Sequence, residues 1–585
     1  MKRANRLRGV ALGLLAIAPQ ARALEWKASG RVTFGSSYRL EAADPYLLNT
    51  LNAAAAGLTG LAPGGQNSDD GNTNFRRHEA TSTVLKGVLE LEAGAGSYAV
   101  LLRLKAWHDF ALLERPRSWG NSANGYTAGS PLGDAGAPAL SRFSGVLLGD
   151  AYVQGSASLG PLHAFGRAGR QSLTWGEAAA FAGGLHTLNP IDSPALRRPG
   201  ALAQETLVAV PALFGRLGGA ELALEGFVQR AYRPSALEMC GSFWSLSDYM
   251  LPGCDKVFIG APALSDRARL QSGAYLKRLA LAPAGGAQHG LGLLWKTAPL
   301  AAEVGLYLAR YTNRSAMPGL QKSSRDGAPV IAGDPDGRNM RYFTEYPEGV
   351  QMATFSYAGL REPLRLHAEL SYRRGQAVML AAGDVIGAFL SPTAPSLFRA
   401  EANALAPGAL FHGYDRYNTV HAELGLRRDW SVAGWPLLAG GADAVAKHVL
   451  ALPAQALRRY GRADQFGVGP INGACLVTTA APAKQCSQDG YVSANAWAYR
   501  LRLEARWNAI AQGLNGMAGL VFTSDVKGWS YDNVVNQGRQ TLNLALRLDY
   551  RQRYLAELVL TPVWGGDYNA LGDRDLLTFA LGIRF

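Results

Sequence analysis

Asp573-Arg574-Asp575-Leu576-Leu577-Thr578-Phe579-Ala580-Leu581-Gly582-Ile583-Arg584-Phe585 alternates from Leu577 onward. Leu577, Phe579, Leu581, Ile583 and Phe585 fall on one face of an extended chain, and Thr578, Ala580, Gly582 and Arg584 on the other. About ten residues of strand suffice to cross a bilayer at a tilt, whereas most soluble strands are shorter. The stretch therefore predicts a membrane-crossing strand of a β-barrel with its apolar face toward lipid. The competing reading is an edge strand of a soluble sandwich.

The same scheme recurs upstream. Tyr98, Val100, Leu102, Leu104 and Ala106 alternate with Leu101, Arg103, Lys105 and Trp107, and Leu364 to Tyr372 with Arg365, His367, Glu369, Ser371 and Arg373. Val420 to Leu426 are interleaved with His421, Glu423, Gly425 and Arg427, and Tyr499 to Trp507 with Arg500, Arg502, Glu504 and Arg506. Leu542 to Tyr550 against Asn543, Arg547 and Asp549, then Tyr554 to Leu560 around Glu557, repeat it. Tyr and Trp at the ends form the aromatic girdles of a membrane barrel. A helix fails here, because charges at every second residue would encircle it and leave no apolar stripe. Long Gly/Asn/Asp/Pro-rich stretches near 41–80, 110–142, 233–270, 312–345, 380–416, 451–492 and 523–539 alternate with brief turns. The pattern predicts an all-β fold, a transmembrane antiparallel barrel of roughly fourteen to eighteen strands with long outer loops. A final Phe after such alternation also resembles the C-terminal signal that outer-membrane barrels present to the barrel assembly machinery.

At the other end, Lys2, Arg3, Arg6 and Arg8 precede an apolar run at 9–18 and the small-x-small site Ala21-Arg22-Ala23. Residues 1–23 are expected to be a secretory signal peptide and 24–585 one outer-membrane barrel domain of a Gram-negative bacterium. No later stretch supplies eighteen consecutive apolar residues, so any crossing is by strands. With 69 Gly, 23 Tyr and 12 Trp and a mean hydropathy of −0.03, the chain has no apolar surplus for a large soluble core. A barrel needs none, since its apolar residues are spread over an outer band. The four cysteines fall in two local pairs, Cys240 with Cys254 and Cys475 with Cys486, expected to be disulfides stapling loops in an oxidising compartment.

The inward faces carry Arg103, Lys105, Arg365, Arg373, Arg427, Arg500, Arg502, Arg506, Arg547 and Arg584 against Glu369, Glu423, Glu504, Asp549 and Glu557, with His367 among them. Together with the formal net charge of +13, this predicts a cationic lumen that favours anions. The alternative is that these charges pair across strands inside a plugged barrel. One segment fits neither strand nor outer loop. Arg170, Trp175, Glu177, Asn189, Asp192, Arg197 and Arg198 lie in a run of turn formers and opposite charges. It is expected to fold inward as a plug or constriction, with Glu177 and Asp192 meeting Arg170, Arg197 or Arg198.

The blocks Gly166-Arg167 to Gln171, Trp175-Gly176-Glu177, Asn189-Pro190-Ile191-Asp192 and Arg198-Pro199-Gly200 resemble a proteobacterial outer-membrane family of uncharacterised proteins, domain of unknown function 1302. So do Asp69-Asp70-Gly71-Asn72, Asn74-Phe75, Gly305-Leu306-Tyr307, Tyr346-Pro347-Glu348, Ser371-Tyr372-Arg373, Asp525-Val526 and Asp573-Arg574-Asp575. The chain departs from the family pattern at Ser524, where members often have His, and at Tyr311-Thr312-Asn313-Arg314, where many have Tyr-His-Ser-Arg. The resemblance implies a barrel linked to transport. It also implies as partners a periplasmic lipid-carrier-like protein and an inner-membrane RND-type transporter, beside the lipid and lipopolysaccharide any such barrel meets.

No Gly-x-Ser-x-Gly elbow, His-Glu-x-x-His or phosphate loop is present, so the chain is not expected to be an enzyme or to hold a cofactor or metal. His108-Asp109 and His367 with Glu369 are the nearest acid/base pairs, and both fit wall or rim positions better. Asp69-Asp70-Gly71-Asn72 and Asp334-Pro335-Asp336-Gly337 lack an EF-hand pattern and fit turns. Export and the lack of a basic, aromatic-bearing surface motif argue against nucleic acid. The expectation is a monomeric or trimeric barrel passing an organic solute, amphipathic, anionic or hydrophobic, or a lipid. The alternative is a structural or adhesion barrel that binds partners through its loops.

Overall fold

The computed structural model describes residues 24–585 except 63, 179, 261–263, 300, 432–435, 476–483 and 485. The segment expected to be a signal peptide lies outside the described residues. Among those described, eighteen antiparallel staves close into a barrel. They are β1 Glu25–Arg39, β2 Ala80–Ala95, β3 Tyr98–Asp109, β4 Ser144–Leu159, β5 Leu162–Gln171, β6 Val210–Gly218, β7 Leu222–Gln229, β8 Gln288–Thr297 and β9 Ala302–Tyr311. The second half comprises β10 Val350–Arg361, β11 Leu364–Met379, β12 Tyr414–Trp430, β13 Leu437–Val449, β14 Asn495–Ala511, β15 Leu514–Lys527, β16 Gln540–Tyr550, β17 Tyr554–Thr561 and β18 Leu576–Arg584. Pro562 cannot donate to a ladder, and β17 resumes beyond it as Val563–Trp564.

Each stave pairs with its sequence neighbour, and β18 returns to β1, from Arg31 opposite Arg584 to Arg39 opposite Leu576. The Gly30 amide donates to the Phe585 carbonyl (2.9 Å) and the Phe585 amide to the Gly30 carbonyl (3.1 Å). Closure leaves no open edge, the condition for strands in a hydrocarbon medium. Leu291, Leu293, Leu306, Leu308, Leu370, Leu424, Leu426, Leu501 and Leu503 stand exposed on the outer wall. Trp26, Tyr98, Trp295, Trp507, Tyr550 and Tyr554 ring the short-turn end, and Tyr372, Trp497 and Trp564 the long-loop end. These are the two girdles expected of an outer-membrane barrel.

The long connections match the stretches expected from sequence, with two changes of bounds and one omission. β15 continues to Lys527, so the loop begins at 528; the connection expected at 233–270 spans 230–287; and the one at 565–575 was not among those expected. Above the barrel these loops share a core of their own. Leu320, Met340, Tyr342, Leu380, Val385, Phe389, Phe398 and Tyr460 are buried together, each contributing about 1.5–3 kcal/mol by leaving water. Both expected disulfides are present, Cys240–Cys254 and Cys475–Cys486, each with a Cα–Cα distance of 5.4 Å. The first lies buried among Phe75, Met239 and Phe243.

Candidate lumen and constriction

Residues 172–209, between β5 and β6, run inside the barrel rather than over its rim. Asn189 clamps the base, accepting from the Leu173 amide and donating to the Leu173 carbonyl, both at 2.8 Å. Trp175 packs 5.0 Å from Phe227 of β7 and 5.0 Å from Tyr307 of β9. The chain then follows the wall round to β11–β14. Phe181 packs with Val445 of β13 and Ala496 and Ala498 of β14. The Ala180 amide donates to Glu423 (2.9 Å) on β12, and the Leu185 amide to Glu369 (2.9 Å) on β11. Lys447 of β13 donates to the Ala182 carbonyl (2.7 Å), and Arg373 of β11 to that of Gly184 (3.1 Å).

The return leg meets the remaining wall. Lys105 of β3 pairs with Asp192, Lys86 of β2 with Glu205 at 2.5 Å, and Arg198 lies 4.2 Å over the Trp107 ring. Arg197 pairs at 2.5 Å with Glu238 of the 230–287 loop. The expected pairing of Glu177 and Asp192 with Arg170, Arg197 or Arg198 is thus replaced: Asp192 turns to Lys105, and Glu177 lines a cavity with Lys296, Arg365, His367 and Arg427. The reason is geometric, since a segment stretched across a lumen splays its side chains toward two walls instead of folding on itself.

Seven of the ten inward cations quoted from the sequence have carboxylate partners. Arg103 holds Glu90 (2.7 Å) and Asp150, Lys105 holds Asp192, Arg365 holds Asp429 and Arg427 holds Asp443 (2.9 Å). Arg506 pairs with Glu504, Arg547 with Glu557 (3.4 Å) and Arg584 with Asp549 (2.8 Å). Glu90, Asp150, Asp192, Asp429 and Asp443 lie outside the inward acids of the quoted strands, and they neutralise much of the expected positive wall. Arg373 instead donates to the Tyr531 hydroxyl (2.8 Å). Arg500 and Arg502 are left. Both face inward two residues apart on β14, with no carboxylate in ion-pair contact among the described residues, although Arg500 stands opposite Asp443 in the β13–β14 register; Arg500 lies 4.8 Å over the Phe181 ring and donates to Thr523 (3.2 Å).

The other sequence candidates have structural roles. Asp109 caps a short helix, accepting from the Ala111 and Leu112 amides. Asp334 and Asp336 turn onto Arg325. A family model described as Protein of unknown function (DUF1302) matches residues 4–585. The chain belongs to this family.

A search of curated proteins gives no match. Similar solved structures include OccAB3 of Acinetobacter baumannii, with 10% identity over 96% of this chain and 99% of that one at a TM-score of 0.38. OccD3 (OpdP) of Pseudomonas aeruginosa has 10% identity over 96% and 91% at 0.37. The outer membrane channel DcaP of Acinetobacter baumannii has 8% identity over 96% and 98% at 0.34.

In this DUF1302 chain, short blocks far apart in sequence meet in space. Asn72 accepts from Arg39 (2.9 Å) and from Arg574, while Asp573 pairs with Arg39 (2.7 Å) at the seam between β1 and β18. Arg314 reaches the Leu188 carbonyl and Gln229, bracing the inward segment from outside it. Asp69 and Asp70 are fully enclosed. Asn52 and the Asn49 amide donate to Asp69, and Trp119 and Tyr126 to Asp70. Burial pushes Asp69 up to about 7. It also drives Asp70, Asp248 and Asp266 well above the usual carboxylate range, with repulsion among them adding to the effect.

Because these carboxyls are raised in the folded loops, the native state binds protons that the unfolded chain releases above about pH 4. Loop stability is therefore full at acid pH and falls as pH rises toward and through about 7. Outer-loop proteolysis is expected to be slow at pH 5 and faster at pH 8. Asp248→Asn, which keeps an acceptor for the Asp70 amide, should shrink that difference; an unchanged profile would contradict the assignment.

Proposed function

We propose that this protein is an outer-membrane channel that passes small organic anions with an apolar portion past a constriction formed by residues 172–209. It acts by selective passage and not by catalysis. One observation carries the reading: a segment docked across the lumen places Phe181 against Arg500, with Arg502 beside it, on a wall whose other cations are mostly neutralised. A carboxylate can take the two guanidinium groups as counter-ions, while a ring or alkyl chain slides over Phe181. Unpaired cations at a narrow, low-dielectric point bias passage more than the same charges in a wide mouth.

The test is uptake into liposomes containing the purified protein, comparing benzoate with benzylamine as probes of similar shape and opposite charge. Benzoate is expected to enter several-fold faster. Arg500→Gln with Arg502→Gln should erase that preference while leaving passage of a small neutral sugar intact. Equal entry of the two probes in the unaltered protein would refute the reading.

A further inference from the structure

A second cluster lies on the wall beneath the inward segment, where the sequence gives no metal-binding spacing. His367 on β11 faces Gly425 on β12, which faces Asp443 on β13. A Cβ at position 425 would collide with the His367 ring and with Asp443 Oδ1. The glycine therefore keeps open the gap across which His367 Nε2 approaches Asp443 Oδ1 at 3.3 Å. Glu423, one inward position along β12, completes the group: one ligand atom from each of His367, Glu423 and Asp443 lies within 4.8 Å of the others.

These atoms are buried and incompletely satisfied. Glu423 is 3% exposed and Asp443 2% exposed. Glu423 Oε1 is fixed by the Ala180 amide, but its Oε2 makes no hydrogen bond, nor does Asp443 Oδ2 or His367 Nε2. Glu369 Oε2 is likewise without one, and His421 Nε2 stands 3.6 Å from Glu423 Oε2. Buried carboxylate oxygens left this way are costly, because they have lost water and gained no donor in its place.

We propose that His367, Glu423 and Asp443 bind a divalent transition-metal ion of the zinc type. One imidazole and two carboxylates are a donor set such ions accept. Three atoms mutually within 4.8 Å can all lie within roughly 2.8 Å of one point, so small side-chain rotations reach bonds of about 2.0–2.2 Å. Three protein ligands leave an open position, and His367 borders a cavity of about 760 Å³ beneath the inward segment from which the ion can enter. Arg427 competes, because its Nη1 lies 2.9 Å from Asp443 Oδ1.

The experiment is titration of the tag-free, detergent-solubilised full barrel with Co²⁺, read by its visible d–d absorption, followed by competition with Zn²⁺. One equivalent is expected to bind, and Zn²⁺ to displace it. His367→Gln and Asp443→Asn should each weaken binding at least about tenfold, whereas Arg427→Gln should strengthen it by freeing Asp443. A merely structural cluster would not gain affinity on losing that arginine. Unchanged heat-modifiable gel mobility certifies each barrel, and Glu423→Gln replaces any variant that does not assemble. Absence of stoichiometric binding in the unaltered protein, or full binding in His367→Gln and Asp443→Asn, would overturn the proposal. Anion passage is tested separately, by the benzoate and benzylamine comparison through Arg500 and Arg502.

Discussion

Gly184→Val is expected to raise single-channel conductance several-fold and to lower charge selectivity. Gly184 has φ +56°, and a Cβ there would strike Glu369 Oε1. A β-branched residue in left-handed backbone costs of order 1–3 kcal/mol before any collision. The collision also falls on the anchor itself, since Glu369 receives the Leu185 amide and Arg373 donates to the Gly184 carbonyl. Hydrogen bonds to charged groups are worth about 1.5–3 kcal/mol each, so losing both loosens the tip of the segment. On the same wall that leaves Ala180 with Glu423 and Lys447 with the Ala182 carbonyl; Lys105 with Asp192 and Lys86 with Glu205 lie on the far wall. The staves are untouched, and the barrel should keep its heat-modified gel mobility. Planar-bilayer recording checks the outcome; unchanged conductance in an assembled variant would mean that the segment does not limit flow.

Arg39→Ala should cause the largest loss of stability. Arg39 is fully buried where β1 meets β18. It pairs with Asp573 at 2.7 Å and donates to the carbonyls of Glu41 (2.7 Å) and Phe75 (2.9 Å) and to Asn72 (2.9 Å). Truncation breaks the buried pair with Asp573 and strands several carbonyls away from water, a change costing about 3–5 kcal/mol for a broken buried pair. Arg574 stays beside Asp573 at 2.9 Å, which keeps the loss from exceeding that range. The temperature at which gel mobility shifts should fall by several degrees, with proteolysis appearing first in loops 40–79 and 565–575. A variant as heat-resistant as the parent would contradict this account of the seam.

The barrel was legible because lipid and lumen impose opposite demands on alternate residues. Leu370 and Leu424 point out and Glu369 and Glu423 point in, and a chain that repeats that pattern over so many long segments without an apolar surplus suits a lipid-facing barrel best. β13 was harder to recognise. Ala439, Gly440, Gly441, Ala442, Ala444 and Ala446 leave little contrast between its faces, although it carries Asp443 and Lys447. The inward position of residues such as Arg427 and Arg500 followed from periodicity. Their partners did not, since pairing depends on register: Arg427 reaches Asp443 across a diagonal that only the β12–β13 alignment defines. The candidate constriction was recognisable from turn formers and charges at 170–200. Its path was not, because Ala180 meets Glu423 across 243 residues of sequence, a contact with no local signature. The cluster of His367, Glu423 and Asp443 has no local signature either, with three strands contributing one residue each.

The measurement that bears most directly on the central claim is the reversal potential of single channels of the unaltered protein in a planar bilayer under a salt gradient. A narrow lumen with Arg500 and Arg502 unpaired predicts discrete openings of small conductance with a potential on the anion-selective side. Openings with a cation-selective potential, or a membrane that stays silent with assembled protein present, would contradict it.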